Sequence, residues 1–195
     1  TGSVNLASSG VGSFTVTYTF GGTCSVSDQT TIDIKGPGDP TIQPDGPFCE
    51  NLGLQQLLAT GTQGGTWSGV GVDPLTGSFN PTSSGPGTHT ITYDLSGACP
   101  ISGTTDIVVE AVPVMDVLVD NATGCEPLTV TFLDNSTSKS STSVWSFSDG
   151  SSSSLTDSVT MTFVNSGCYN VFLKNEFING CVDSISVSNI VCVNP

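Results

Sequence analysis

Short runs in which β-branched or aromatic residues alternate with Ser and Thr recur along the whole chain. Leu128-Thr129-Val130-Thr131-Phe132, Val144-Trp145-Ser146-Phe147 and Val159-Thr160-Met161-Thr162-Phe163 alternate cleanly. A period of two puts one set of side chains on one face, as a half-buried strand requires. Between the runs lie turn-forming clusters, among them Gly36-Pro37-Gly38-Asp39-Pro40 and Ser148-Asp149-Gly150. Long runs of helix formers are missing. The pattern predicts an all-β chain of sandwich type. Strands are expected over 14–20 and 26–34, and at Leu57-Leu58-Ala59, where a short helix over 52–58 is the alternative.

The chain repeats itself. Ser8-Ser9-Gly10-Val11-Gly12 matches Ser83-Ser84-Gly85-Pro86-Gly87, and Thr15-Val16-Thr17-Tyr18 matches Thr90-Ile91-Thr92-Tyr93. Cys24 matches Cys99 without any gap, and the match begins at Thr1-Gly2-Ser3-Val4-Asn5 against Thr76-Gly77-Ser78-Phe79-Asn80. A third, more distant copy shares Gly-x-aromatic-x-β-branched: Gly12-Ser13-Phe14, Gly87-Thr88-His89 and Gly167-Cys168-Tyr169 open the three segments. A Gly before an aromatic fits the corner that precedes strand F of an immunoglobulin sandwich. Three modules follow: 1–35, the C-terminal half of an Ig-like module; 36–111, a complete one; and 112–195, a third.

Cysteine and tryptophan spacing adds a covalent frame. Cys49 precedes Trp67 and Cys99, and Cys125 precedes Trp145 and Cys181. This Cys…Trp…Cys order predicts the bonds Cys49–Cys99 and Cys125–Cys181, with both Trp as core pins. Cys168 and Cys192 fall opposite each other if the third module ends in an antiparallel hairpin, so a cross-strand bond is expected there too. Cys24 is left over, its partner expected upstream. The fold class read from the sequence is therefore all-β, tandem immunoglobulin-like β-sandwich modules stapled by disulfides.

The third module resembles a PKD domain. The resemblance rests on Gly124-Cys125-Glu126-Pro127, Trp145-Ser146-Phe147-Ser148-Asp149-Gly150, Gly167-Cys168-Tyr169-Asn170-Val171 and Asn179-Gly180-Cys181, with Ser148 in place of the usual first Gly of the turn. The second module, through Gly65-Thr66-Trp67-Ser68-Gly69 and Gly87-Thr88-His89-Thr90-Ile91-Thr92-Tyr93, is similar to Ig-like repeats of very large Bacteroidetes surface proteins. Those include gliding-motility adhesins and other type IX secretion cargo. The resemblance implies cell-surface display and adhesion, with neighbouring modules of the same long chain, surface glycans or other cells as partners.

Composition excludes several classes. The chain has three Lys and Arg together against seventeen Asp and Glu, a formal net charge of -14. Such a surface repels phosphate backbones and anionic lipid faces, so neither nucleic-acid binding nor membrane association is expected. No apolar run is long enough for a spanning helix, and no signal peptide is present. Seven Cys with no C-x-x-C pair point to an oxidising, extracellular compartment and away from zinc or redox catalysis.

Candidate chemistry is thin, and no enzyme is expected. His89 is the single His and stands where Phe14 and Tyr169 stand in the sister copies, so it reads as a buried substitute for a core aromatic. No G-x-S-x-G or P-loop occurs. No cofactor is expected. Ca²⁺ is the one ion to consider, through Asp116, Asp120, Asp134 and Asp149, although no contiguous EF-hand-type loop is present. Ser158 and Ser184 lie in Asp-Ser-aliphatic patterns of the kind Bacteroidetes O-glycosylate, and Asn121 and Asn135 lie in N-linked sequons. The function expected is a non-catalytic repeat segment of a large extracellular adhesin or surface fibre. The alternatives are a carbohydrate-binding or spacer region of a secreted degradative enzyme, and a filament subunit.

Overall fold

The structure is a computed structural model; it describes Ser3 and residues 5–195. Thr1, Gly2 and Val4 of the first repeat copy lie outside the described residues. By proximity of Cα atoms the chain forms two units. One comprises Thr1–Asp45, Gln55–Phe79 and His89–Ile107, and the other Gly46–Leu54, Asn80–Thr88 and Val108–Pro195.

The first unit begins with a four-residue helix, α1 (Leu6–Ser9), and a hairpin of β1 (Gly12–Phe20) and β2 (Val26–Ile34) in unbroken antiparallel register. The second copy of the repeat has β3 (Phe48–Cys49), β4 (Gln55–Gln56), β5 (Thr66–Ser68), β6 (Ser78–Phe79), α2 (Pro81–Ser84), β7 (Gly87–Leu95) and β8 (Ile101–Glu110). Helix α2 is opened by Asn80, whose side chain accepts from the Ser83 amide, and Pro81 fits its first turn because no intrahelical donor is lost there. The sequence repeat is a structural repeat: β1 and β7 begin 75 residues apart (87 minus 12), and so do β2 and β8 (101 minus 26). Within 52–58 no helix forms and only Gln55–Gln56 is strand (β4); of the strand expected at Leu57-Leu58-Ala59, only Ala59 pairs, in a bridge to Ile42.

Pairing gives this copy its class. β4 pairs β6, and Ile42 bridges Ala59 on the other side. β5 pairs β7, β7 neighbours β8, and β3 runs parallel to the last residues of β8. In immunoglobulin letters these are A (Ile42), A′ (β3), B (β4), C (β5), E (β6), F (β7) and G (β8). Within the first unit, Leu57, Trp67, Phe79, Ile91, Tyr93 and Ile107 are buried. Trp67 packs on Tyr93 at 4.6 Å between ring centroids. Gly77, at φ +72°, lets the backbone press against the Trp67 indole, where a Cβ would come within 2.7 Å of Nε1.

The third copy contains β9 (Val117–Val119), β10 (Thr123–Cys125), β11 (Leu128–Asp134), β12 (Ser140–Phe147), β13 (Ser152–Ser153), β14 (Ser158–Phe163), β15 (Gly167–Phe177) and β16 (Val182–Asn194). One sheet has the order β10-β16-β15-β12-β13 and the facing one β14-β11-β9. The first edge of the chain thus changes sheets: β9 pairs antiparallel with β11, then β10 pairs parallel with β16. That is the A-to-A′ switch of an immunoglobulin-like sandwich, with β11 as B, β12 as C, β14 as E, β15 as F and β16 as G. Tyr169 donates from its hydroxyl to the Asn165 carbonyl four residues back, at 2.7 Å, a tyrosine corner at the start of strand F.

The core of this sandwich sits where alternation places it. Val130, Phe132, Trp145, Phe147, Val159, Phe163, Val171 and Leu173 pack together. Phe132 and Phe147 meet at 4.8 Å, and Trp145 Nε1 donates to the Leu155 carbonyl at 2.8 Å, satisfying its one polar atom. On the outer face, Thr129 pairs with Thr162 and Thr131 with Thr160 across β11 and β14. Trp145→Ala is expected to destabilise the sandwich by about 3–5 kcal/mol. Val144→Ala, the neighbouring outward position, 48% exposed, is expected to cost under about 1 kcal/mol, since surface changes away from special features stay small. Urea unfolding of both variants followed by circular dichroism checks this; comparable losses would contradict the assigned faces.

Candidate functional site

Cysteine placement is the most distinctive chemistry of the chain. Cys168 and Cys192 face each other in register on β15 and β16 and are bonded, with Cα atoms 4.1 Å apart. Cys49 is bonded to Cys181, with Cα atoms 5.6 Å apart. Cys24, Cys99 and Cys125 are free thiols, all exposed. The Cys49–Cys99 and Cys125–Cys181 bonds expected from spacing are therefore replaced by one bond, Cys49–Cys181.

Strand length explains the correction. Cys125 lies on A′, paired with Asn194 at the last residue of β16. Cys181 lies in the turn just before β16 begins at Val182. A thirteen-residue strand separates them by about 40 Å at roughly 3.3 Å per residue. A disulfide cannot bridge Cα atoms more than about 7 Å apart without moving the backbone. In the second copy Cys49 pairs beside Glu110, the last residue of β8, whereas Cys99 precedes its first, Ile101. The Trp reading holds, since both Trp are buried, but the two Cys around each Trp sit at opposite ends of strand G.

The Cys49–Cys181 bond is set in polar contacts. Glu50 donates its amide to the Glu110 carbonyl at 2.9 Å, holding A′ on strand G. Asn51 Nδ2 donates to the Val182 carbonyl at 3.0 Å. Asn179 donates from Nδ2 to the Ala111 carbonyl at 3.0 Å and accepts from the Cys181 amide through Oδ1. The Cys181 side chain is fully buried. This staple ties the A′ strand of the second copy to the F–G turn of the third.

The remaining candidates divide between turns and surface. Asp149 accepts from the Ser151 amide at 2.9 Å, Asp120 from the Thr131 amide at 2.8 Å, and Asp116 from Asn135 Nδ2 at 2.7 Å. Asp134 accepts from Asn175 Nδ2 at 2.7 Å and from the Ser136 amide at 3.0 Å. These four carboxylates serve as turn and loop acceptors, and among the described residues no three His, Cys, Asp or Glu side chains converge as a metal site. His89 is half-buried, not fully buried as expected, with its ring 6.4 Å from Phe79. Ser184 is exposed on β16, Ser158 half-buried on β14, and Asn121 and Asn135 exposed. An open hollow of about 380 Å³ beside Trp67 and Tyr93 is rimmed by Gln43, Gln56 and Gln63. Trp67 is only 6% exposed, so it offers no ring face for a sugar to stack on.

What spacing missed is the hairpin surface. Phe14, Val16, Tyr18 and Phe20 share one face of β1 and are 37%, 40%, 69% and 68% exposed. Their equivalents in β7 include Ile91, Tyr93 and Leu95, at 0%, 2% and 8%. The same strand pair is a sandwich interior in one copy and an open face in the other.

No family model matches the chain, and no curated protein does. Among solved structures it is similar to extracellular cadherin domains 1–4 of protocadherin gamma B7, at 13% identity and a TM-score of 0.34. The match covers 97% of this chain, which spans about 59% of that chain's length. No residue role is carried over from it. The class defined by the strand order above is an all-β chain of tandem immunoglobulin-like sandwich modules stapled by disulfides. Among the described residues no helix is long and apolar enough to cross a membrane.

Removing the Cys49–Cys181 bond, which closes 132 residues, is expected to cost about 5 kcal/mol by loop entropy, and removing Cys168–Cys192 about 3.5 kcal/mol. Cys181→Ser and Cys168→Ser, compared by urea unfolding, should rank in that order; the reverse order would contradict the loop argument.

Acid response follows from the turn carboxylates. Asp73 is held below its usual 3.8 first by the Thr76 hydroxyl, then by the Thr76 and Leu75 amides. Asp120 is held low mainly by the Thr131 amide. A carboxyl depressed in the folded state stabilises it above the unfolded value, and that contribution is lost as pH falls through the folded one. Carboxyl ¹³C titration should place both midpoints below 3.8; a midpoint at or above 3.8 would remove these turns from the acid response.

Proposed function

We propose that the chain is a non-catalytic repeat segment of a large extracellular adhesin or surface fibre, acting as a stiff stalk. One observation carries this reading: the Cys49–Cys181 bond joins the edge strand of one sandwich to the F–G turn of the next. A pull along the chain then crosses the junction through a covalent bond instead of through the 111–116 linker alone. Such a bond suits a load-carrying string of modules.

The other features fit the same reading. Disulfides persist in oxidising, extracytoplasmic surroundings. A net charge of -14 keeps a long exposed chain soluble and apart from its neighbours. The PKD-like third copy and the resemblance of the second to Bacteroidetes surface repeats point to display on a cell, with adhesion to glycans or other cells at this or other modules. Asp116, Asp120, Asp134 and Asp149 act as turn and loop acceptors, which fits a scaffold.

Pulling the chain from its two ends tests the stalk reading. With the bond intact, the 132 residues between Cys49 and Cys181 are shielded from the load. Reduction should therefore lengthen the fully extended chain by about 450 Å, at roughly 3.4 Å per residue. Equal contour lengths with and without reductant, in single-molecule force measurements, would sink the reading.

A further inference from the structure

We propose that the free thiols Cys24, Cys99 and Cys125 are open ends of a ladder of disulfides. In this ladder the A′ cysteine of each module bonds the F–G-turn cysteine of the next module of the same chain. The inference rests on the stalk reading and adds to it the covalent rule by which modules are joined.

The rule comes from the one rung that is closed here. Cys49 lies on A′ and Cys181 in an F–G turn. Every free cysteine occupies one of these two positions. Cys24 lies between β1 and β2 and Cys99 between β7 and β8, so both are F–G-turn cysteines like Cys181. Cys125 lies on A′ like Cys49. Its frame is the same down to the hydrogen bond: the Glu126 amide donates to the Asn194 carbonyl at 3.0 Å, as the Glu50 amide does to Glu110. Bonding within a module is ruled out by the length of strand G, as shown above.

The surroundings of Cys99 supply a second, independent observation. Its thiol donates to the Lys35 carbonyl at 3.5 Å. By the 75-residue offset, Lys35 is the counterpart of Glu110, the residue that Cys49 pairs with. Cys99 therefore stands where Cys181 stands in the closed rung, against the end of a strand G. A hollow of about 280 Å³ lies between them, lined by Lys35, Gly36, Leu95, Ala98 and Cys99 among others. In the second and third copies that edge of G is covered by an A′ strand in parallel register. The occupant that fits is an A′ strand bearing a cysteine.

Each rung forms by exchange with an oxidised disulfide donor. One cysteine thiolate attacks the donor and releases half of it as a thiol. The second cysteine thiolate then displaces the other half. Two protons and two electrons leave the cysteine pair, one S–S bond forms, and the donor is reduced to two thiols.

The test is cysteine mapping of the full chain, alkylated with N-ethylmaleimide before unfolding and digested without reduction. Peptides holding Cys99 and Cys125 should be recovered bonded to cysteine peptides from other modules of the same chain, with neither alkylated. Alkylated Cys99 and Cys125, a Cys99–Cys125 bond, or bonds between separate chains would overturn the ladder. The 195-residue segment alone should take three adducts, at Cys24, Cys99 and Cys125, with Cys49 and Cys181 protected. In the full chain, Cys99→Ser should expose one new alkylated thiol on an A′ strand; no new thiol there would also overturn it. A full chain rich in such modules but with their cysteines alkylated ends the ladder and leaves the stalk reading standing. A full chain without further modules ends both.

Discussion

A strand of fixed rise keeps its two ends apart, and that constraint organises the covalent chemistry of this protein. Strand G begins at the F–G turn and ends beside A′, so a cysteine at each place is separated by the whole length of the sandwich. The two can be bonded only across a junction, where the end of one G strand meets the F–G turn of the next module. Cys49 and Cys181 meet in this way. The parallel pairing of A′ with G comes first in this chain of causes, because without it Cys49 would not sit at the end of β8.

Much of the fold was legible because long alternating runs are hard to misplace. β2 spans 26–34 as read, and Val130, Phe132, Trp145, Val171 and Leu173 are buried as their period requires. The Cys168–Cys192 bond was legible for a similar reason: a hairpin fixes which residues face each other. The short strands β3 to β6 were harder, since two or three residues carry no period. Gln55 and Gln56 pair with β6 although neither is a strand former, their place being set by Leu57, which fills the core.

The Cys49 pairing was illegible for a different reason. Cys…Trp…Cys order implies a bond within a module only if both cysteines lie near the middle of their strands, as in antibody domains. Here one lies on A′ and the other in a turn, and order along the chain does not distinguish the cases. The distinguishing signal was the position of the second Cys after strand F, which places it beyond the end of that strand. Combined with the length of G, it removes the pairing within the module.

The β1–β2 hairpin separates strand pairing from core formation. Its F and G strands are formed and paired, yet Tyr18 and Phe20 are about two-thirds exposed. Backbone hydrogen bonds can therefore complete a strand pair without completing a core, and isolated hairpins are marginal in water for that reason. Burial of the same face in the second copy comes from the A, B and E strands that face it. An A′ strand on the edge of β2 and a disulfide at Cys99 would add to that cover from the side of the junction, so that folding of one module and covalent joining to the next reinforce each other. In such a string the weakest link is a reduced rung rather than a flexible linker.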